Sequence, residues 1–110
     1  MVKSSGRIVF VDVEGIDWAE AEGNYVRLHV GAESHLLRQT MAELQSTLGD
    51  DRFVRIHRSR LVNLARIDGL RVQGGGDCDV ILRTGVRLGV SRSARETLQH
   101  RLATPPQIAS

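Results

Sequence analysis

Residues 53–64, FVRIHRSRLVNL, set Arg55, His57, Arg58, Ser59 and Arg60 between apolar runs on a strand-like pattern. A segment of this kind is anchored in a core while its cationic and hydrogen-bonding tips reach the surface. The planar donor fork of Arg suits phosphate oxygens and the acceptor edge of guanine better than the point charge of Lys. A nucleic acid is therefore the first partner to test.

Catalysis is not expected from the same residues. His57 and Ser59 could suggest a base and a nucleophile, but residues two apart on a strand share a face without necessarily touching. No third group can be assigned to orient the imidazole. His29, His35 and His100 have no metal-ligand spacing with one another or with carboxylates. The imidazole of His57 has two open roles, bracing the loop through a backbone group or touching DNA directly. Asn63 suits the satisfaction of backbone groups at a turn.

Charge along the chain is lopsided. The net charge is +2, yet residues 1–51 carry four basic and nine acidic side chains, whereas residues 52–110 carry eleven Arg and four acidic ones. The halves thus differ as −5 against +7, the footprint of one surface that meets a polyanion and another that meets water or protein. Aromatic residues make up 4% of the chain, so the stacking platforms of single-strand and RNA binders are scarce, which favours duplex DNA. Trp18 and Phe53 are expected in the core.

With 110 residues and 41% hydrophobic content, the chain is most simply one domain with a real core. The single cysteine, Cys78, excludes an internal disulfide and a cysteine-held zinc, which fits a reducing cytoplasm. No apolar run approaches the roughly 20 residues of a membrane span. No cofactor is expected.

The elements that must position the Arg cluster form a meander. Arg7–Val11, Ile16–Glu22, Tyr25–Val30 and Ser34–Gln39 are predicted strands, with Glu22, Gly23 and Asn24 as a tight connection. In the second of these, Ile16, Trp18, Glu20 and Glu22 alternate against Asp17, Ala19 and Ala21. Thr40 and Glu43 form a capping box opening a helix whose stripe is Met41, Leu44 and Leu48, and Gly49 ends it. Ile67–Val72, Val80–Leu82 and Val86–Val90 are further strands. Gly74, Gly75 and Gly76 make a hairpin tip, because no Lys or helix follows them as a phosphate loop would require. Ser93 and Glu96 are expected as a second capping box, opening a helix with Ala94, Leu98 and Leu102 on one face.

The strings GNYVRLHV at 23–30, LLRQTMAEL at 36–44, RFVRIHRSRLVNL at 52–64 and LGVSRSARETL at 88–98 resemble, in order and spacing, the signature blocks of the LytTR family of DNA-binding domains. The resemblance covers about residues 7–102. It implies a mainly β, elongated fold of about ten short strands in small stacked sheets with two short helices, whose loops enter successive major grooves of one duplex. It further implies base-reading positions at or next to Asn24 and Tyr25, at Arg58 and at Arg92. His57, Ser59, Ser93 and Arg95, with Arg60 of the same cluster, match positions that brace loops or touch the DNA backbone. Gln73 and Gly74–Gly76 stand where relatives often carry aromatic residues.

Family members usually form the carboxyl-terminal output of a longer bacterial regulator, such as a two-component response regulator. The division expected here is therefore a linker remnant at 1–6, a DNA-binding domain at 7–102 and a disordered tail at 103–110. The alternative is a small β-rich protein-interaction or ligand-sensing module using the Arg cluster for an acidic partner. Without a heptad seam, the isolated domain is expected to be a monomer that pairs, if at all, on repeated DNA sites.

Overall fold

The computed structural model describes residues 2–4 and 7–103. Among the described residues, ten strands and two α-helices follow one another. Strands β1 (Val2–Ser4) and β2 (Arg7–Val9) pair antiparallel, so residues 2–4 of the expected linker form a strand. The expected tail lies, beyond Ala103, outside the described residues.

The central sheet contains β3 (Trp18–Glu22), β4 (Tyr25–Val30), β5 (Glu33–Leu37), β6 (Phe53–His57) and β7 (Arg60–Asn63), in the order β5-β4-β3-β7-β6. All its neighbours are antiparallel. A second sheet orders β10 (Arg87–Val90), β9 (Cys78–Leu82) and β8 (Ile67–Val72). The Gly74–Gly76 segment joins β8 to β9, with Gln73 N–H donating to the Asp77 carbonyl at 2.8 Å, so the triple glycine is a hairpin tip.

Strands β6 and β7 and the start of β3 are buried on both faces of the central sheet, whereas β4 and β5 leave Ser34 and Leu36 exposed on one face. On one side Ala19, Val26, Leu28, Phe53 and Leu61 pack with Met41 and Leu44 of helix α1 (Met41–Leu48). On the other, Trp18, Val54, Ile56 and Val62 meet Val80, Leu82 and Leu88 of the second sheet and Leu98 of helix α2 (Arg92–Ala103). Successive strand residues point to opposite faces, so Leu61 and Val62 are both fully buried yet belong to different clusters. Trp18 also stacks on His29, its cross-strand neighbour, with ring centroids 4.1 Å apart.

Local chemistry explains the ends of these elements. Thr40 Oγ accepts from Glu43 N–H at 3.0 Å and Glu43 Oε1 accepts from Thr40 N–H at 2.9 Å, the reciprocal bonds of the expected capping box. Gly49 follows with φ 83°, a conformation a side chain would resist. The second helix corrects the sequence expectation. It starts at Arg92, and Ser91, not Ser93, supplies the oxygen that accepts from Ala94 N–H, at 3.3 Å.

Ile16 also departs from its expected side. The strand begins at Trp18, after a 3-10 turn at Val13–Gly15, and Ile16 packs with Ala19 instead of Trp18. Buried Asp17 sets this entry by accepting from Gly31 N–H at 2.8 Å while its other oxygen lies 3.6 Å from Arg66 Nε. Buried Asn63 locks the same corner, donating to the Ile16 carbonyl at 2.8 Å and accepting from Ala65 N–H at 3.0 Å.

Candidate nucleic-acid interface

Strand pairing gathers the predicted site at one end of the central sheet. β3 runs toward that end and turns through Gly23 and Asn24 into β4, which starts at Tyr25. β6 arrives at the same end and turns through Arg58 and Ser59 into β7. The two turns are tied by Ala21 N–H, which donates to the Ser59 carbonyl at 2.9 Å. Ser91 N–H donates to the Ile56 carbonyl at 2.8 Å, bringing the start of α2 beside the end of β6. The structure thereby brings together Asn24, Tyr25, Arg58, Ser59, Arg92 and Ser93.

Two shallow depressions lie side by side along this end. One is lined by Asn24, Tyr25, Arg38, Glu43, Arg55 and Arg58. The other is lined by Arg55, His57, Arg58, Ser91, Ser93 and Arg101. Arg55 and Arg58 border both, so they form the ridge between them. Arg58 and Arg92 are exposed, and Tyr25 is 41% exposed, a large apolar side chain facing solvent beside a cationic ridge.

The Arg58–Ser59 turn is braced from within β6. Ser59 N–H points at His57 Nδ1 at 3.2 Å, and Ser59 Oγ lies 2.9 Å from the same nitrogen. Because a backbone amide can only donate, Nδ1 is the acceptor and a neutral His57 carries its proton on Nε2. Both roles left open for His57 therefore have a physical basis, since the braced ring still offers an Nε2–H.

Arg60 and Arg95 are placed differently. Arg60 shares the face of Val62 and turns toward the second sheet: its Nη1 and Asp79 Oδ1 stand 4.0 and 3.9 Å from where a Gly89 Cβ would lie. It lines neither depression. Arg95 is half-buried in the first turn of α2, where its N–H donates to the Ser91 carbonyl at 3.0 Å.

Two acidic residues near this end are engaged, while Asp50 lines the depression beside Arg101. Glu22, next to the Gly23–Asn24 turn, is gripped by Arg27 through Nε and Nη2, the latter 3.0 Å from Oε1. That hydrogen bond holds the Glu22 carboxyl below its ordinary range, against a smaller opposing effect of desolvation, and raises Arg27 in turn. Glu43 is occupied by its capping box. Arg38, Gln45 and Arg101 were not singled out from sequence. Arg38 directly follows β5 within the 36–44 block, and Arg101 acts at long range, donating to the Asp50 and Asp51 carbonyls. Among the described residues no group of three or more His, Cys, Asp or Glu side chains converges on a metal position. No helix among them is long and apolar enough to cross a membrane.

A mainly β scaffold with a cationic edge built from separate turns defines a class of nucleic-acid-binding domains. The family model for the LytTr DNA-binding domain matches residues 6–103, and the chain belongs to this family. It is 36% identical over 76 residues to the CO-responsive transcriptional regulator RcoM of Rhodospirillum rubrum, covering 69% of this chain and 32% of that protein. It is 28% identical over 92 residues to the sensory transduction protein LytT of Bacillus subtilis, covering 84% of this chain and 38% of that protein. With the transcriptional regulatory protein BtsR of Escherichia coli it shares 35% identity over 77 residues, covering 70% of this chain and 30% of that protein. The chain thus spans about a third of the length of these curated relatives. A solved LytTr DNA-binding domain of a putative methyl-accepting/DNA response regulator from Bacillus cereus has the same fold, with TM-score 0.83, 20% identity and 94% of each chain covered.

Proposed function

We propose that this chain binds double-stranded DNA with sequence preference, as the output domain of a bacterial transcription regulator. The observation that carries this is the ridge of Arg55 and Arg58 between two depressions, flanked by Asn24 and Tyr25 on one side and by the exposed start of α2 on the other. Arg58 and Arg92 have the donor geometry to grip the O6 and N7 acceptors of guanine in a major groove. Asn24 and Tyr25 would read bases from the adjoining turn, while Ser59, Ser93 and Arg95 would hold the register through phosphates or loop shape. Arg60 acts as a brace between the sheets in this arrangement. The domain is not an enzyme, works in the cytoplasm and is monomeric until it meets paired sites on DNA.

Salt titration of duplex binding tests the proposal. If roughly six phosphates are engaged, raising salt from about 50 to 200 mM weakens binding by two or more orders of magnitude. A flat response refutes DNA binding through this edge, and salt-sensitive capture of an acidic peptide with no duplex binding favours an interaction module instead.

A further inference from the structure

We propose that Arg55 is a positioning residue that sets the shape of the Arg58–Ser59 turn from below and ties that turn to α1 through Gln45. The proposal rests on the reading that this turn meets DNA, and it reaches a residue that carries no base-reading role. The hairpin between β6 and β7 closes with His57 opposite Arg60, leaving only Arg58 and Ser59 in the loop. Two-residue hairpin loops favour Asn and Gly, which accept positive φ, and neither residue is of that kind. Something other than intrinsic turn preference must hold this loop.

The side chains of β6 supply it. Arg55 Nη2 donates to the Arg58 carbonyl, while Ser59 N–H is accepted by His57 Nδ1, so the polar groups of the loop are held by one residue on each side of Ile56. The register shifts between Arg55 and His57, where Arg55 faces Leu61 and His57 faces Arg60, leaving Ile56 as the extra residue of a bulge. Bulges re-aim the side chains that follow them, and this one immediately precedes Arg58.

The guanidinium is fixed at its other end as well. Arg55 Nη1 donates to Gln45 Oε1 of α1 at 3.3 Å. Its Nε is buried with no hydrogen-bond partner among the described residues, a poor arrangement for a side chain whose only task is packing. The two ends together make Arg55 a strut between α1 and the turn. Pinning the Arg58 carbonyl fixes the backbone from which the exposed Arg58 side chain projects.

The test compares Arg55→Met, which keeps the stem and loses both bonds, with Arg58→Ala and with the double variant. Binding selection on random duplex DNA and salt titration are the measurements. Positioning predicts that Arg55→Met weakens the selected site about tenfold and relaxes preference at the same base pair as Arg58→Ala. The salt slope stays at the wild-type value, and Arg55→Met adds almost nothing in the Arg58→Ala background. A slope reduced by about 0.9 with preference intact would make Arg55 a phosphate contact and overturn the proposal, as would additive losses in the double variant.

Gln45→Ala, which removes only the helix end of the strut, should relax the same base pair more weakly. It carries the test if Arg55→Met does not fold. Amide hydrogen exchange in the DNA-free chain separates failure of this proposal from failure of the DNA reading. Arg55→Met should speed exchange at Ser59 while leaving Val62 unchanged, and equal acceleration at both would reduce Arg55 to a general stabiliser.

Discussion

His57 Nδ1 receives Ser59 from two directions, the backbone N–H at 3.2 Å and the hydroxyl at 2.9 Å, so one ring nitrogen holds the residue that follows Arg58 in the exposed turn. The first prediction follows from that acceptor. His57→Ala should weaken duplex binding by about 1–2 kcal/mol, close to tenfold, because the Ser59 amide loses its partner and the turn loosens. His57→Asn keeps an acceptor oxygen near Nδ1 and should recover most of the loss. Fluorescence anisotropy with a labelled duplex measures both. Equal weakness of Asn and Ala would mean that the ring itself contacts DNA through Nε2.

Reading and holding should separate along the edge. Arg58→Ala and Arg92→Ala should each cost about 1–3 kcal/mol on the selected site and relax one base pair apiece. Arg95→Ala should weaken all duplexes alike. Sequence selection with each variant shows which pattern holds, and an unchanged preference for Arg58→Ala would remove that residue from base recognition.

Stability should respond most at the opposite end of the sheet. Asn63→Ala strands the Ile16 carbonyl and the Ala65 amide in a buried corner, so it should cost about 2–4 kcal/mol of folding stability. Urea denaturation should show a lower midpoint with an unchanged slope. Duplex affinity of the folded fraction should stay at the wild-type level.

The Glu22–Arg27 pair gives a pH dependence of defined sign. The folded carboxyl of Glu22 is held below its ordinary value, so the pair contributes stability above the unfolded value and loses it as pH falls through the lower folded one. Solvent exposure keeps the effect small. An NMR titration should find the Glu22 carboxyl shifted down in the wild type and back at its ordinary range in Arg27→Met.

Two copies on DNA should obey the helical repeat. Cooperativity between neighbouring sites requires the same side of the duplex, with about two turns between repeat centres. Gel shifts on paired sites should lose cooperativity when about five base pairs are inserted and largely regain it at about ten. Equal occupancy at every spacing would mean that the domains bind independently.

Much of the fold was legible where the signal is local. Thr40, Glu43 and Gly49 mark both ends of α1 by side-chain chemistry alone, and the alternation of Val26, Leu28 and Val30 marks β4. Local sequence does not fix the start of α2, because Ser91 and Ser93 are both capable caps. The choice between them is made by the Ser91 amide bonding to Ile56, a contact between distant segments that no local pattern encodes. The side taken by Ile16 is hidden from the alternation pattern for a similar reason, since Asp17 and Asn63 set the strand entry from across the sheet.

The site divides the same way. His57, Arg58 and Ser59 stand out as a cluster within one short string, and their turn does reach a solvent-facing edge. Arg38 sits inside the 36–44 block without standing out in it, Arg101 lies outside all four signature blocks, and both join the depressions only through sheet order and helix packing. Arg60 looked like part of the cluster because it is adjacent in sequence. Strand alternation sends it to the other side, toward Gly89.

Because β6 and β7 are buried on both faces, their apolar side chains answer to two cores while the residues at their loop end answer to neither. Exposed positions of this kind usually change folding stability by no more than about 0.5 kcal/mol when substituted. On the proposed reading, target preference is therefore free to drift by substitution at Asn24, Arg58 or Arg92 without approaching the threshold at which the domain unfolds. Such a scaffold lets paralogous copies acquire different operators while keeping one melting temperature.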